Sequence, residues 1–157
     1  GYIVDRMSDT LAARGVTSHL VNAGGDIRAR GYAETGKPWT IAIEDPAKKG
    51  RYPDAIRLGD GAVATSGSYE AYYDRDRVFH HIVDPRSGTS PHHSVSASVV
   101  AGSTAEADIL ATSLIVLGHA GGPEVFGRIR GADYLVIGTG GERSETAGWP
   151  ALRLEGA

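Results

Sequence analysis

The sequence contains no cysteine. That excludes disulfides, thiolate metal sites and cysteine nucleophiles, and it leaves the compartment open, because a chain without thiols suits either side of a membrane. Neither sign of charge dominates: 16 Lys and Arg stand against 19 Asp and Glu, for a net charge of -3. No basic stripe emerges, so no nucleic-acid surface is expected. The longest apolar run falls far short of the ~20 residues a membrane helix needs. GxGxxG and P-loop spacings are missing too, which removes Rossmann and NTPase sites from consideration. No internal repeat and no low-complexity tract is visible.

The 157 residues have a 41% hydrophobic, 22% charged composition, that of a globular chain long enough to bury a core. The 22 glycines lie between apolar runs of strand length, so they mark tight turns rather than disorder. No part of residues 1–157 reads as a signal peptide. The first residue is Gly1 rather than Met, which reads as a fragment or a processed product.

Ile3, Val4, Met7 and Leu11 recur at helical spacing and Gly15 stands where a cap is expected, so residues 3–14 read as an amphipathic helix. A strand from His19 to Asn22, the turn Ala23–Asp26 and alternating strands over 27–32 and 39–44 follow. Asp45, Pro46 and the stretch Lys48–Gly50 read as a loop. Short strands are expected at 54–58 and 61–65, then a loop with several aromatics over 66–78, and a further strand at 94–100. Ser103 with Glu106 forms a capping box for a helix over 104–118, closed by Gly118. A shorter helix is expected over 123–130, a buried strand at 134–137 and a last strand at 151–154. Runs of strands with helices at intervals argue an α+β fold.

Asp108 and Thr112 lie four residues apart, on one helical face that also carries Ala111 and Ile115. On that face a carboxylate needs a partner. A salt bridge or a bond to a neighbouring loop would serve; so would a hard cation held by carboxylate and hydroxyl oxygens. His81 fits a general base, since an unperturbed imidazole titrates near ~6.5, and it equally fits a loop histidine with a satisfied hydrogen bond. A zinc site from His80, His81, His92 and His93 is disfavoured, because neighbours in an extended chain point to opposite faces. Two glycine-containing turns, Gly24-Gly25-Asp26 and Ala64 to Glu70, could bring backbone N–H groups to a phosphate or a flavin ring, or be turns and nothing more.

Six segments, taken in order, resemble the ApbE family of FAD:protein FMN transferases. They are Gly1 to Arg6, Val21 to Arg28, Trp39 to Ile43, Ala64 to Glu70, His81 to Gly88 and Ala107 to Thr112. Each is weak singly; six in the family's order over about residues 1–140 are specific. The resemblance implies the C-terminal portion of an ApbE-like, T-fold-like antiparallel sheet packed against helices, a single partial domain over residues 1–157. It implies a Mg²⁺-dependent enzyme that takes FAD as substrate, attaches FMN to a Thr or Ser of an acceptor flavoprotein subunit and releases AMP. Asp108 and Thr112 match the family's metal ligands, Val83 a backbone contact to the flavin, and His81 the proposed base.

Ala111 departs from the pattern where some members carry a further acidic ligand. The family's N-terminal half, with adenine contacts and a metal-binding segment, is expected upstream of Gly1 or on a separate chain. The family also implies a periplasmic or lipoprotein-anchored location. Two other activities share the cleft: a Mg²⁺-dependent FAD pyrophosphatase yielding FMN and AMP, and a non-catalytic flavin-binding accessory domain. An acceptor peptide separates them, because only the transferase makes it fluorescent.

Overall fold

The computed structural model describes residues 1–34, 36–44, 46, 52, 54–126 and 128–154. The element order is α1 (Tyr2–Ala13), β1 (His19–Ala23), β2 (Asp26–Arg30), β3 (Trp39–Ile43), β4 (Asp54–Leu58), β5 (Gly61–Gly67), β6 (Ser94–Ala101), α2 (Thr104–Phe126), β7 (Asp133–Gly138), β8 (Arg143–Glu145) and α3 (Trp149–Leu152). Of the loop expected around Asp45 and Lys48–Gly50, all but Pro46 lies outside the described residues. No helix among the described residues is long and apolar enough to cross a membrane.

Six strands form one antiparallel sheet in the order β1-β2-β5-β6-β7-β8, and β3 pairs with β4 in a separate hairpin. The expected α+β class is what the chain adopts. Helix α2 packs across β5, β6 and β7 on one face. Ala64, Ala97 and Ala101 of the sheet meet Ala107 and Ala111 of the helix there, all at most 4% exposed. Small side chains on both partners let a helix lie close to a sheet without voids. The β3–β4 hairpin covers the opposite face, where Ile41, Ile43, Ile56 and Leu58 pack with Val63, Leu135 and Trp149. Strand β6 is therefore buried on both faces, and its long run of small and apolar residues reflects that.

Helix α2 is kinked at Gly118, whose φ is +72°. A side chain there would meet the His93 ring, its Cβ 2.4 Å from Cδ2. The His93 Nε2 bonds to the Val116 carbonyl at 3.0 Å and so satisfies an end-of-helix acceptor. The first helical piece thus ends at Gly118 as its sequence predicts, while the second starts before Pro123.

Three expectations are corrected. In α1, Val4 and Ser8 face the core, whereas Tyr2, Ile3 and Met7 are exposed at 69%, 72% and 49%. Ser8 is buried because its hydroxyl bonds His19 Nε2 at 2.8 Å. Residues 149–152 form a helical turn rather than a strand, with Pro150 early in it as its locked φ favours. What remains of the strand expected at 151–154 is one bridge, Arg153 to Ile56. Strand β8, three residues long, falls between the strands expected at 134–137 and 151–154, where no element is expected.

Asp54, 3% exposed, fastens that last turn to β4. Its Oδ2 accepts from Trp149 Nε1 at 2.9 Å and from Arg143 at 2.7 Å, and Arg153 pairs with its Oδ1 at 2.7 Å. Burial alone would raise the Asp54 carboxyl, but the bonds from Trp149, Arg143 and Arg153 hold it below its ordinary value. A carboxyl lowered on folding stabilises the fold above the unfolded value, near ~3.9, and that contribution fades as pH falls through the folded one. We expect Asp54→Ala to cost about 3 kcal/mol at pH 7, the low end for breaking a buried pair, because both guanidinium groups keep some access to water. In denaturant melts the difference between the two proteins should begin to shrink only below about pH 4 and close as pH falls through the folded carboxyl's lower value. A difference that shows no narrowing over that range would assign the loss to packing instead.

Candidate active site

The site forms where α2, the β1–β2 turn, the end of β5 and the segment after Tyr72 meet. The turn comes first. Gly24 and Gly25 both have positive φ, +67° and +99°, as a tight two-residue hairpin turn requires. Asn22 Oδ1 accepts the Gly25 N–H at 3.2 Å, and Asp26 follows at the start of β2. On α2, Asp108 and Thr112 stack one turn apart, with Ala111 and Ile115 buried beside them.

Asp108 itself is not buried. Its side chain is 43% exposed and stands at the edge of the buried stripe, facing the cleft. The burial penalty argued from sequence therefore does not apply, and water reaches this carboxylate. Thr112 Oγ1 shares a hydrogen bond of 2.9 Å with Ser66 Oγ on β5. The Gly1 nitrogen lies 2.5 Å from Asp26 Oδ2 and 2.9 Å from Asp108 Oδ2, so two carboxylates from distant elements converge on one point. The sequence singles out the turn holding Asp26 but assigns that side chain no role; only the packing of the β1–β2 hairpin against α2 reveals it.

The N-terminus of α2 is capped twice. Ser103 Oγ accepts the Glu106 N–H at 3.3 Å, as the capping box predicts. Asp5 of α1 adds a cap that no local pattern announces, taking the Thr104 and Ala105 N–H groups at 2.8 and 2.9 Å. Burial would raise the Asp5 carboxyl, but these two bonds outweigh it and hold the group below its usual value. The result fixes the helix end one turn before Asp108.

His80 and His81 point to opposite sides, as extended neighbours must. His80 is 1% exposed; its Nε2 donates to the Pro91 carbonyl at 2.8 Å and its Nδ1 accepts the Ile82 N–H at 3.3 Å. Both ring nitrogens are engaged inside the protein. A zinc site shared with His80 is accordingly incompatible with this packing, and among the described residues no three His, Asp or Glu side chains gather as a ready metal cage. His81 is exposed to solvent and its Nδ1 bonds the Ala71 carbonyl at 3.4 Å. A carbonyl only accepts, so that nitrogen carries the proton and Nε2 is left as the basic one.

One cleft of about 500 Å³ is lined by Ala23, Gly24, Asp26, Ser66, His81, Val83, Asp108 and Thr112, among others. All four residues singled out from sequence thus share a single cavity. The side chain of Val83 stands half exposed on it. A recess of about 250 Å³ continues it past Gly24, Thr65 and Gly67 toward Ile41 and Ile43. Along α2 it opens into a groove of about 600 Å³ bounded by Asp84, Arg86, Ile109 and Leu117. There the Arg86 side chain and N–H grip Asp84 and hold its carboxyl down at about 2, so it stays charged at any ordinary pH.

The chain and its fold have counterparts. A FAD:protein FMN transferase of Vibrio cholerae is 41% identical over 128 residues, covering 80% of this chain and 38% of that protein. Its Escherichia coli K12 namesake is 34% identical over 143 residues, covering 89% and 41%. Among solved structures, an ApbE protein of Thermotoga maritima superposes with a TM-score of 0.86 at 31% identity, over 99% of this chain and 51% of that one. A flavin transferase ApbE from Vibrio cholerae gives 0.80 at 33% identity, over 95% and 48%. The chain spans about two-fifths of the curated relatives it matches and half of these structures. Residues 1–136 match the ApbE family model, and with the shared fold and the assembled cleft they establish that this chain belongs to the ApbE family.

Proposed function

We propose that the protein transfers FMN from FAD to the hydroxyl of a Thr or Ser on an acceptor protein, releasing AMP. The observation that carries this reading is that one cleft holds a basic imidazole nitrogen, at His81, and a wall of oxygen donors, at Asp108, Thr112 and Asp26. FAD:protein FMN transferase is also the name its relatives carry.

The donors suit a hard cation. They are carboxylate and hydroxyl oxygens, and the chain has no thiolate to attract a softer metal. Asp108 and Thr112 would hold Mg²⁺, with Asp26 converging beside Asp108. Bound there, the ion would supply positive charge to the pyrophosphate as negative charge builds on it. The chain's own residues do the rest. His81 Nε2 takes the proton from the acceptor hydroxyl, and the freed oxygen attacks the phosphorus of the FMN half. A new phosphoester P–O bond forms, the pyrophosphate P–O bond breaks, and AMP leaves with the bonding electrons. The turn at Gly24-Gly25 and the backbone beside Val83 bound the space for the flavin.

The half-exposed Asp108 marks a cleft open to water, which makes hydrolysis of FAD the competing reaction. An assay on the full-length protein with FAD, Mg²⁺ and an acceptor peptide of the Asp-Gly/Ala-Ala/Ser-Thr type separates them. We expect fluorescence to accumulate on the peptide in step with AMP. AMP release with a dark peptide would establish a pyrophosphatase, and FAD retention without AMP an accessory flavin-binding domain.

A further inference from the structure

Residues 71–81 form a small hairpin that ends on His81. Tyr72 bridges His80, the Tyr73 N–H donates to the Phe79 carbonyl at 2.7 Å, and the His81 N–H donates to the Ala71 carbonyl at 3.1 Å. Its tip, Asp74 to Arg77, has no glycine, although Arg77 sits at φ +56° in the left-handed region. Tight turns through that region normally use Gly or Asn, because other side chains enter it at a cost. Here a side chain closes the turn instead. Asp74 Oδ2 takes the Val78 N–H at 3.0 Å and its Oδ1 takes the Phe79 N–H at 2.7 Å, immediately after the strained residue.

The two arms are held unequally. The His80 arm is pinned from outside: Ser90 Oγ accepts the His80 N–H at 2.9 Å and donates to its carbonyl at 2.8 Å, while the ring is locked on Pro91. For the Ala71 arm, the bonds described run across the hairpin itself. The Ala71 carbonyl is the group that meets His81 Nδ1, at 3.4 Å, near the limit of a hydrogen bond. A small shift of that arm breaks the contact.

We propose that Asp74 is a positioning residue for His81: by closing the hairpin it keeps the Ala71 carbonyl on Nδ1 and leaves Nε2 as the basic nitrogen. The consequence for catalysis rests on the reading of His81 as base; the structural coupling does not. In free histidine the proton favours Nε2, so a ring released from Ala71 presents the wrong nitrogen to the acceptor hydroxyl.

The test uses full-length protein with ¹⁵N-labelled histidine, the His81 signals being assigned by their loss in His81→Ala. Imidazole ¹⁵N shifts report which nitrogen carries the proton. We expect the wild type and the control Asp76→Ala to show Nδ1–H, and Asp74→Ala to move toward Nε2–H. In the transfer assay Asp74→Ala should lower kcat ~10-fold, with KM for FAD within ~3-fold, as expected when a base is misoriented but binding survives. Asp74→Asn, which keeps one acceptor oxygen, should restore much of both effects, and it provides the reading if the alanine variant does not fold. His81 signals identical to wild type in folded Asp74 variants would overturn the proposal. Shifted signals with unchanged kcat would leave Asp74 as the positioning residue and remove His81 from the role of base.

Discussion

Replacing His81 with alanine is expected to slow FMN transfer by ~10²–10⁴-fold while FAD still binds, the usual scale for losing a positioned base. The side chain is exposed, so its removal opens no cavity and leaves no buried group unpaired. Its one described hydrogen bond, Nδ1 to the Ala71 carbonyl, is long at 3.4 Å and adds little to stability. A large rate loss with an unchanged melting curve and unchanged FAD affinity would therefore locate the defect in proton transfer. Near-normal turnover would make His81 a loop histidine. The contrast with its neighbour is sharp. From sequence alone His80, pointing the other way, is expected to tolerate alanine. The structure overturns that, because His80 is buried with both nitrogens bonded and its loss leaves the Pro91 carbonyl and the Ile82 N–H without their partner.

What the sequence made legible follows physical range. The capping box at Ser103 and the break at Gly118 are local signals, and α2 begins and bends where they stand. The apolar spacing of α1 was visible, but periodicity does not say which side is covered. Ile3 and Met7 look like a core stripe, yet the protein turns Val4 and Ser8 inward because His19 waits there for the Ser8 hydroxyl. Contacts between distant segments left no trace in any window. The Asp5 carboxylate caps a helix 99 residues further on, and Asp26 and Asp108, far apart in the chain, line one cleft. The four site residues were nominated by six ordered family segments, since their own chemistry left Asp108, Thr112 and His81 with other readings. Their meeting in one cleft is what the fold contributes.

The second large effect is expected at Asp108. If its carboxylate is an ion ligand, Asp108→Ala should lower FMN transfer by about 10²-fold or more at limiting Mg²⁺ and displace the Mg²⁺ titration to higher concentration, the scale on which altered metal sites lose function. Asp108→Asn keeps one neutral oxygen and should fall between, because a hard cation prefers charged ligands. A purely structural role predicts something else. The carboxylate is 43% exposed, and ion pairs of that exposure contribute only about 0–1 kcal/mol, so alanine would move the melting temperature slightly and leave the metal requirement alone. The discriminating quantity is thus the Mg²⁺ concentration at half-maximal rate, measured beside the melting curve for wild type, Asp108→Ala and Asp108→Asn. Thr112→Val supplies a second handle: it keeps the shape, removes the hydroxyl that bonds Ser66, and should shift the titration in the same direction. Titrations that superpose across all four proteins would show that this wall does not hold the ion.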